Sequence, residues 1–305
     1  MVMRLNNIFF VLLATVFSCD LVAKEIAITF DDAPRPATTL FDGPTRANRL
    51  IETLSSASVE RVAFFVISSH LNDEGLMRIE KYASAGHIIG NHTHCHFDLN
   101  TTDTEAYIDD ILTADHTLRN LPGFIRWFRY PMLREGSDLT KRDAVRDKLK
   151  LLGYSNAYIT IDNYDWYMDF LLQKALQCGK KVDYSKLKEV YLEVLLACVE
   201  FYDEMAANVL GRSPAHIILL HENDLNALFV GDLVRELRDK GWKIISPEKA
   251  YEDEISQKVT ERVLKYNPGR IGEIAKDSGY QEKLWHESCD EDFLEQLFTK
   301  RQVFY

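Results

Sequence analysis

The chain has 305 residues, 46% of them hydrophobic and 27% charged, an ordinary globular composition with apolar material for one large core. This length admits a single α/β barrel or two smaller domains. The net charge of −11 argues against nucleic acid or an anionic membrane as the main partner and fits a neutral or cationic ligand.

After Arg4 comes the apolar run Ile8–Phe17, too short to span a bilayer comfortably and suited to the core of a signal peptide cleaved after Ala23. The mature chain is then expected to be secreted or periplasmic. The bland alternative is a buried first element. A second is lipoprotein processing at Cys19, weakened by the bulky Phe17 where a smaller residue is usual. No later segment has the length and apolarity of a transmembrane helix.

From residue 24 short apolar runs alternate with longer segments of helical period. Lys24–Phe30 reads as a buried strand, Thr45–Leu54 as a helix, Arg61–Ile67 as a strand, Glu74–Ala85 as a helix and His87–Gly90 as a short strand. Asp103–Arg119 follows as a helix, Phe124–Arg129 as a strand, Lys141–Leu152 as a helix and Ala157–Ile161 as a strand. An insertion over residues 167–215 holds two helical stretches, about Met168–Cys178 and Tyr184–Leu210. His216–His221 is a strand, Leu228–Lys240 a helix and Lys243–Ile245 the last strand. This alternation predicts βα units and a parallel sheet, here a distorted (β/α) barrel, with an open doubly wound sheet as the alternative. The expected division is residues 1–23 as leader, 24–250 as catalytic domain and 251–305 as an acidic helical extension packed on the barrel, broken at Asn267-Pro268-Gly269.

The five cysteines form no CxxC pair, which excludes a zinc ribbon and a thioredoxin motif. Cys178 and Cys198 flank a helical connection. They either pair in an oxidising compartment or stay as separate thiols in helix packing. The histidines at 70, 87, 116, 216 and 286 read as structural.

The polar residues that stand out all fall at C-terminal ends of expected strands, the face on which parallel α/β folds build sites. Asp31 and Asp32 follow the first strand, His92, His94 and His96 the third, Arg129 ends the fourth, Asp162 and Asp165 follow the fifth, and His221 ends the sixth. In the run Asn91-His92-Thr93-His94-Cys95-His96, a loop lets His92 and His96 converge on one ion while His94 points away and Cys95 packs beneath. Asp32 adds a carboxylate, giving a two-His, one-carboxylate set with open positions, which suits catalysis better than a closed structural site. Asp31 then stands beside the ion as a base, with Arg129 as its candidate partner.

These residues carry a resemblance. The chain resembles the polysaccharide deacetylases of carbohydrate esterase family 4, the NodB-homology group. Five motifs occur in the family's order: Thr29-Phe30-Asp31-Asp32, His92-Thr93-His94-Cys95-His96, Arg126-Trp127-Phe128-Arg129-Tyr130-Pro131, Asp162-Asn163-Tyr164-Asp165-Trp166, and Leu219-Leu220-His221. The resemblance implies one divalent metal ion held by Asp32, His92 and His96, zinc first, with cobalt, nickel or manganese as alternatives. It implies Asp31 as general base, oriented by Arg129, and His221 as general acid, tuned by Asp162. Trp166 and Leu219 would line the pocket for sugar and acetyl methyl, with Tyr130 and Pro131 at the sugar-contacting surface. The expected activity is removal of N-acetyl groups from a carbohydrate such as peptidoglycan, chitooligosaccharide or exopolysaccharide.

The departures bear on substrate. Ala33-Pro34 stands where relatives often carry Gly-Pro, Tyr130-Pro131-Met132-Leu133 departs from the usual third motif, and the insertion after Trp166 is long. The competing readings are an O-acetyl esterase on a glycan, a catalytically inactive carbohydrate-binding homologue, and a metal-dependent phosphoesterase. The last is disfavoured by the lack of a second ligand cluster.

Overall fold

A computed structural model describes residues 23–305 of the chain. The leader expected to end at Ala23 and the Cys19 alternative fall on residues 1–22, outside the described part.

The first strand, β1 (Glu25–Ala33), sets the architecture. Its residues Ile26, Ala27, Ile28 and Phe30 are fully buried, as a continuous apolar strand must be when both faces of its sheet are covered. It pairs in parallel with β2 (Ala63–Val66) on one side and β6 (Ala215–His221) on the other, while β7 (Lys243–Ile244) joins its first residues. The sheet continues through β3 (Ile88–Asn91), β4 (Phe124–Phe128) and β5 (Ser155–Asn156), every pair parallel, in the order β5-β4-β3-β2-β1-β6. After β5 the chain crosses to β6, where Ile161 forms a single bridge with Ile218 and the Leu219 amide donates to the Ile161 carbonyl at 3.2 Å. The result is the expected distorted (β/α) barrel.

The helices fall between the strands: α1 (Gly43–Ser56), α2 (Asp73–Ser84), α3 (Thr104–Leu118), α4 (Leu139–Leu151) and α7 (Asp224–Asp239). Most begin on an Asp or Asn side chain that accepts from an otherwise orphaned amide: Asp42 from Thr45, Asn72 from Gly75, Asp138 from Lys141. The expected insertion consists of α5 (Asp165–Gln177) and the 27-residue α6 (Tyr184–Leu210), stopped by Gly211 at φ 74°. Leu187, Val190, Val194, Leu195 and Val199 of α6 are buried, so its apolar stripe is core. No helix among the described residues is long and apolar enough to cross a membrane.

Two expectations need correction, and of the two readings of Cys178 and Cys198 the structure has the unpaired one. Residues 157–161 are not a strand: β5 is only two residues long, and Thr160 turns its hydroxyl to the Ile217 carbonyl and amide instead of extending a ladder. Helix α7 starts at Asp224 rather than Leu228, because Asn223 caps it by accepting from the Asn226 amide at 2.8 Å. Cys178 and Cys198 are both free. Cys178 is exposed at the end of α5, while Cys198 is buried with its sulfur 3.4 Å from the Ser288 hydroxyl.

The chain from Pro247 onward forms α8 (Pro247–Tyr251), α9 (Gly269–Asp277) and α10 (Glu291–Arg301), joined by long irregular stretches. They are laced to the barrel. The Arg270 amide donates to the Ile159 carbonyl at 2.7 Å, and its buried guanidinium pairs with Glu273 at 2.9 Å over the ring of Tyr158. Gly269 precedes it at φ +76°, and a Cβ there would lie 2.6 Å from Ile159 Cδ1, so only glycine permits this docking. Asn100 donates to the Lys265 carbonyl at 2.8 Å, and Arg142 and Arg146 donate to the carbonyls of residues 260–262.

Candidate active site

Strand register brings the reacting groups together. Asp31 of β1 is the direct neighbour of His221 on β6, and on the other side of the sheet the Arg129 amide donates to the Asn91 carbonyl at 3.0 Å. Asp31 is buried. Its Oδ1 accepts from Arg129 Nη1 at 2.8 Å. Arg129 is itself fixed by the Ala157 carbonyl, the Thr29 hydroxyl at 3.3 Å, the Tyr251 hydroxyl at 3.5 Å and the face of Phe65. A charge held on every side in this way fixes the carboxylate that it pairs with.

Next along the chain, Asp32 turns away at φ 66° and meets the two imidazoles. His92 Nε2 lies 3.6 Å and His96 Nε2 3.3 Å from Asp32 Oδ1. A tetrahedral ion with ligand bonds of about 2.05 Å needs donors roughly 3.3 Å apart, so this spacing fits a first-row divalent cation such as zinc. Among the described residues this is the only His/Cys/Asp/Glu group with such geometry. His92 Nδ1 lies 2.8 Å from the Arg129 carbonyl, a contact that fixes the tautomer and leaves Nε2 as the ligating atom. Burial and the charge of His92 lower His96 to a pKa of about 4, so it is neutral, the form that binds metal. Burial opposes the charge on Asp32, but contact with His92 and the fields of His221 and His96 outweigh it and hold the carboxyl well below the usual carboxylate range.

The loop that carries the imidazoles is tied at each residue. Thr93 and His96 also lie in the left-handed region, at φ 68° and 58°. The Asn91 side chain accepts from the Thr93 amide and the Thr93 hydroxyl from the His96 amide, while His94 Nδ1 meets the Ser68 hydroxyl at 2.8 Å, so His94 points away as expected. Cys95 is exposed rather than packed beneath the loop. The buried Asp110 of α3 accepts from the amides of both His94 (2.9 Å) and Cys95 (3.0 Å). Sequence patterning missed Asp110, since it sits on a helix fifteen residues beyond Cys95 with nothing local to mark it. Asp110→Ala is expected to weaken zinc binding about 10-fold by loosening the loop, measured by competition with a chromophoric chelator; an unchanged affinity would remove it from the positioning set.

The acid side also differs from expectation. Asp165, not Asp162, is the carboxylate on His221: Asp165 Oδ1 lies 2.7 Å from His221 Nδ1, and Oδ2 accepts from the His221 amide at 2.8 Å. Asn223 and Asn226 donate to the same Oδ2. Asp165 opens α5, which aims its side chain at the end of β6. The Asp162 carboxylate instead accepts from the adjacent Asn163 amide, and burial raises it to a pKa of about 7. Burial alone would lower His221, but the charge and hydrogen bond of Asp165, followed by the fields of Asp32 and Asp31, lift it to about 9. It is therefore a protonated imidazolium at neutral pH. In metal-free Asp165→Asn the His221 titration midpoint, followed by NMR, is expected to fall from about 9 toward the ordinary imidazole value; no movement would sink this account.

These groups open into a cleft of about 780 Å³. Trp166 and Leu219 line it as expected, with Tyr164 and Asp162. Tyr130 and Pro131 do not: Tyr130 is buried against Phe128 in a separate core with Tyr107, Val145 and Tyr154, and Pro131 is also buried. The chain beyond them, with Met132 and Leu133 at φ 53° and 56°, presents Met132, Leu133 and Arg134 to the cleft instead. Tyr266, Asn267, Trp285, Cys289 and Glu291 complete the wall.

The chain is similar to known proteins in sequence and in fold. The sequence model of the polysaccharide deacetylase family matches residues 20–157, which include the first three motifs. A peptidoglycan-N-acetylglucosamine deacetylase of Bacillus cereus is 27% identical over 154 residues, 50% of this chain and 50% of its own. A chitooligosaccharide deacetylase of Rhizobium leguminosarum bv. trifolii is 32% identical over 95 residues, 31% of this chain and 40% of its own. The chain thus spans half or less of the length of these relatives. A family 4 carbohydrate esterase from Streptomyces lividans, solved with acetate, superposes with a TM-score of 0.50 over 74% of this chain and 95% of that one at 15% identity, a likeness of fold.

Proposed function

We propose that the chain, whose residues 20–157 match the polysaccharide deacetylase family, is a divalent-metal-dependent hydrolase removing N-acetyl groups from a carbohydrate of the peptidoglycan, chitooligosaccharide or exopolysaccharide type. The observation that supports this most is the convergence of Asp32, His92 and His96 within ligand distance of one another, with Asp31 and His221 side by side in register on its edge.

Asp32, His92 and His96 would hold the ion, zinc by the chemistry of two nitrogens and one oxygen, and when bound it supplies a Lewis acid and a water of lowered pKa. Asp31, anchored by Arg129 at 2.8 Å, takes the proton of the attacking water. His221, protonated and fixed through Nδ1 by Asp165, gives a proton from Nε2 to the departing amine, so that the products are free amine and acetate. Arg129 keeps Asp31 facing the cleft, and Asp162, also on the cleft wall, is offered for substrate contact rather than for tuning His221. The walls of Trp166 and Leu219 exclude water from the acetyl methyl. The apolar run Ile8–Phe17 supports action outside the cytoplasm.

The test is acetate release from a panel of acetylated glycans by the full chain loaded with one equivalent of Zn²⁺. Acetate is expected from an N-acetylated glycan, is abolished by chelation and returns with zinc. Release confined to O-acetyl esters would move the reading to an esterase, phosphate release to a phosphoesterase, and chelator-resistant or absent turnover would overturn it.

A further inference from the structure

Part of the cleft wall comes from the last fifty residues of the chain, outside the matched family region. Two of its residues are aromatic. Tyr266 is half exposed and lies under the Arg134 guanidinium, 5.2 Å from its ring centroid. Trp285 is partly buried on the same cleft. Trp166 and Tyr164, with ring centroids 5.2 Å apart, line the same cleft.

This wall is held in place at both ends. On the His-loop side, Asn100 fixes the Lys265 carbonyl beside Tyr266. At its other end, Ser288 contacts the buried Cys198 of α6, the Cys289 thiol reaches the Asp162 carbonyl at 4.0 Å, and Glu295 accepts from the Tyr167 hydroxyl at 3.0 Å. Exposed aromatic faces on a fixed wall lose little freedom on binding, and a pyranose ring presents a flat apolar C–H face that packs on them. A cleft of about 780 Å³ has the size of a site that encloses a small ligand.

We propose that Trp285 and Tyr266 form a glycan subsite contributed by the C-terminal segment, which takes a pyranose ring next to the one being deacetylated. The inference rests on the carbohydrate reading above and extends it. Arg134 keeps Tyr266 oriented, and the nearby Arg142 and Arg146 contacts keep residues 260–262 from swinging away.

The test reads binding apart from turnover. Zinc-loaded Asp31→Asn is titrated calorimetrically with N-acetylchitooligosaccharides of one to six sugars, alone and with Trp285→Ala, Trp285→Phe or Tyr266→Ala added. Affinity is expected to rise with length and then level off. Trp285→Ala should weaken the longer ligands about 10-fold while leaving the single sugar unchanged, and Trp285→Phe should recover most of the loss. Equal affinity of Trp285→Ala and its parent at every length, or an equal loss on the single sugar, would overturn the subsite. Binding as expected with no acetate from the zinc-loaded wild type would keep the subsite and sink the deacetylase reading.

Discussion

Asp31→Asn is expected to lower acetate release about a thousandfold, near the middle of the range for loss of a positioned general base. The substitution keeps the shape of the side chain and removes its ability to take a proton. It has a second, independent effect. Arg129 is buried, and among the described residues its carboxylate partner within bonding distance is Asp31. Neutralising that partner leaves the buried guanidinium facing an uncharged amide oxygen, with the Thr29 and Tyr251 hydroxyls, the Ala157 carbonyl and the Phe65 ring around it. Stability should fall by about 3 kcal/mol, the low end for a broken buried pair. Acetate assays and denaturant unfolding check the two effects separately. A variant that retains a tenth of wild-type turnover would show that another group takes the proton.

The second large effect is loss of the ion. Asp32→Asn is the informative change, because asparagine tolerates the left-handed conformation at φ 66° while it removes the charge. His92→Ala removes the ligand whose tautomer Arg129 fixes. Each is expected to abolish stoichiometric zinc binding and cost on the order of 10³-fold in rate, equivalent to several kcal/mol of transition-state stabilisation. His94→Ala is the control. Its ring bonds to Ser68 and contributes no ligand, so zinc content should be unchanged. Metal analysis of the purified variants decides this, and full zinc occupancy in Asp32→Asn would remove that residue from the ligand set.

The barrel and the convergence of Asp32 with the two imidazoles were legible in the sequence for a common physical reason. A doubly covered parallel strand is a continuous apolar run, so the polar residues that end it stand out, and they lie on one face by construction. Asp31, Asp32, His92, His96, Arg129 and His221 were all found this way. What was misread required knowing the direction of a side chain within a loop. Asp162 and Asp165 lie three residues apart, and only the start of α5 at Asp165 decides which one reaches His221. Tyr130 follows Arg129 directly, and Arg129 points to Asp31, so its neighbour turns into the separate core with Phe128 and Tyr154. Whether Cys178 pairs with Cys198 was open in the sequence, because the space around Cys198 is filled by Ser288, ninety residues later. Trp285 and Tyr266 carried no local signal, because their place on the cleft depends on where α9 docks.

Asp32, Thr93 and His96 each hold a backbone shape that costs a side-chain-bearing residue about 1–3 kcal/mol. The Asn91 side chain and the Thr93 hydroxyl accept from the Thr93 and His96 amides and offset part of that cost. Small zinc domains collapse when stripped of their metal because the cation itself organises the polypeptide. Here hydrogen bonds within the loop tie Thr93 and His96, so a demetallated molecule should still unfold cooperatively, and zinc, binding the folded chain, should raise its melting temperature with occupancy.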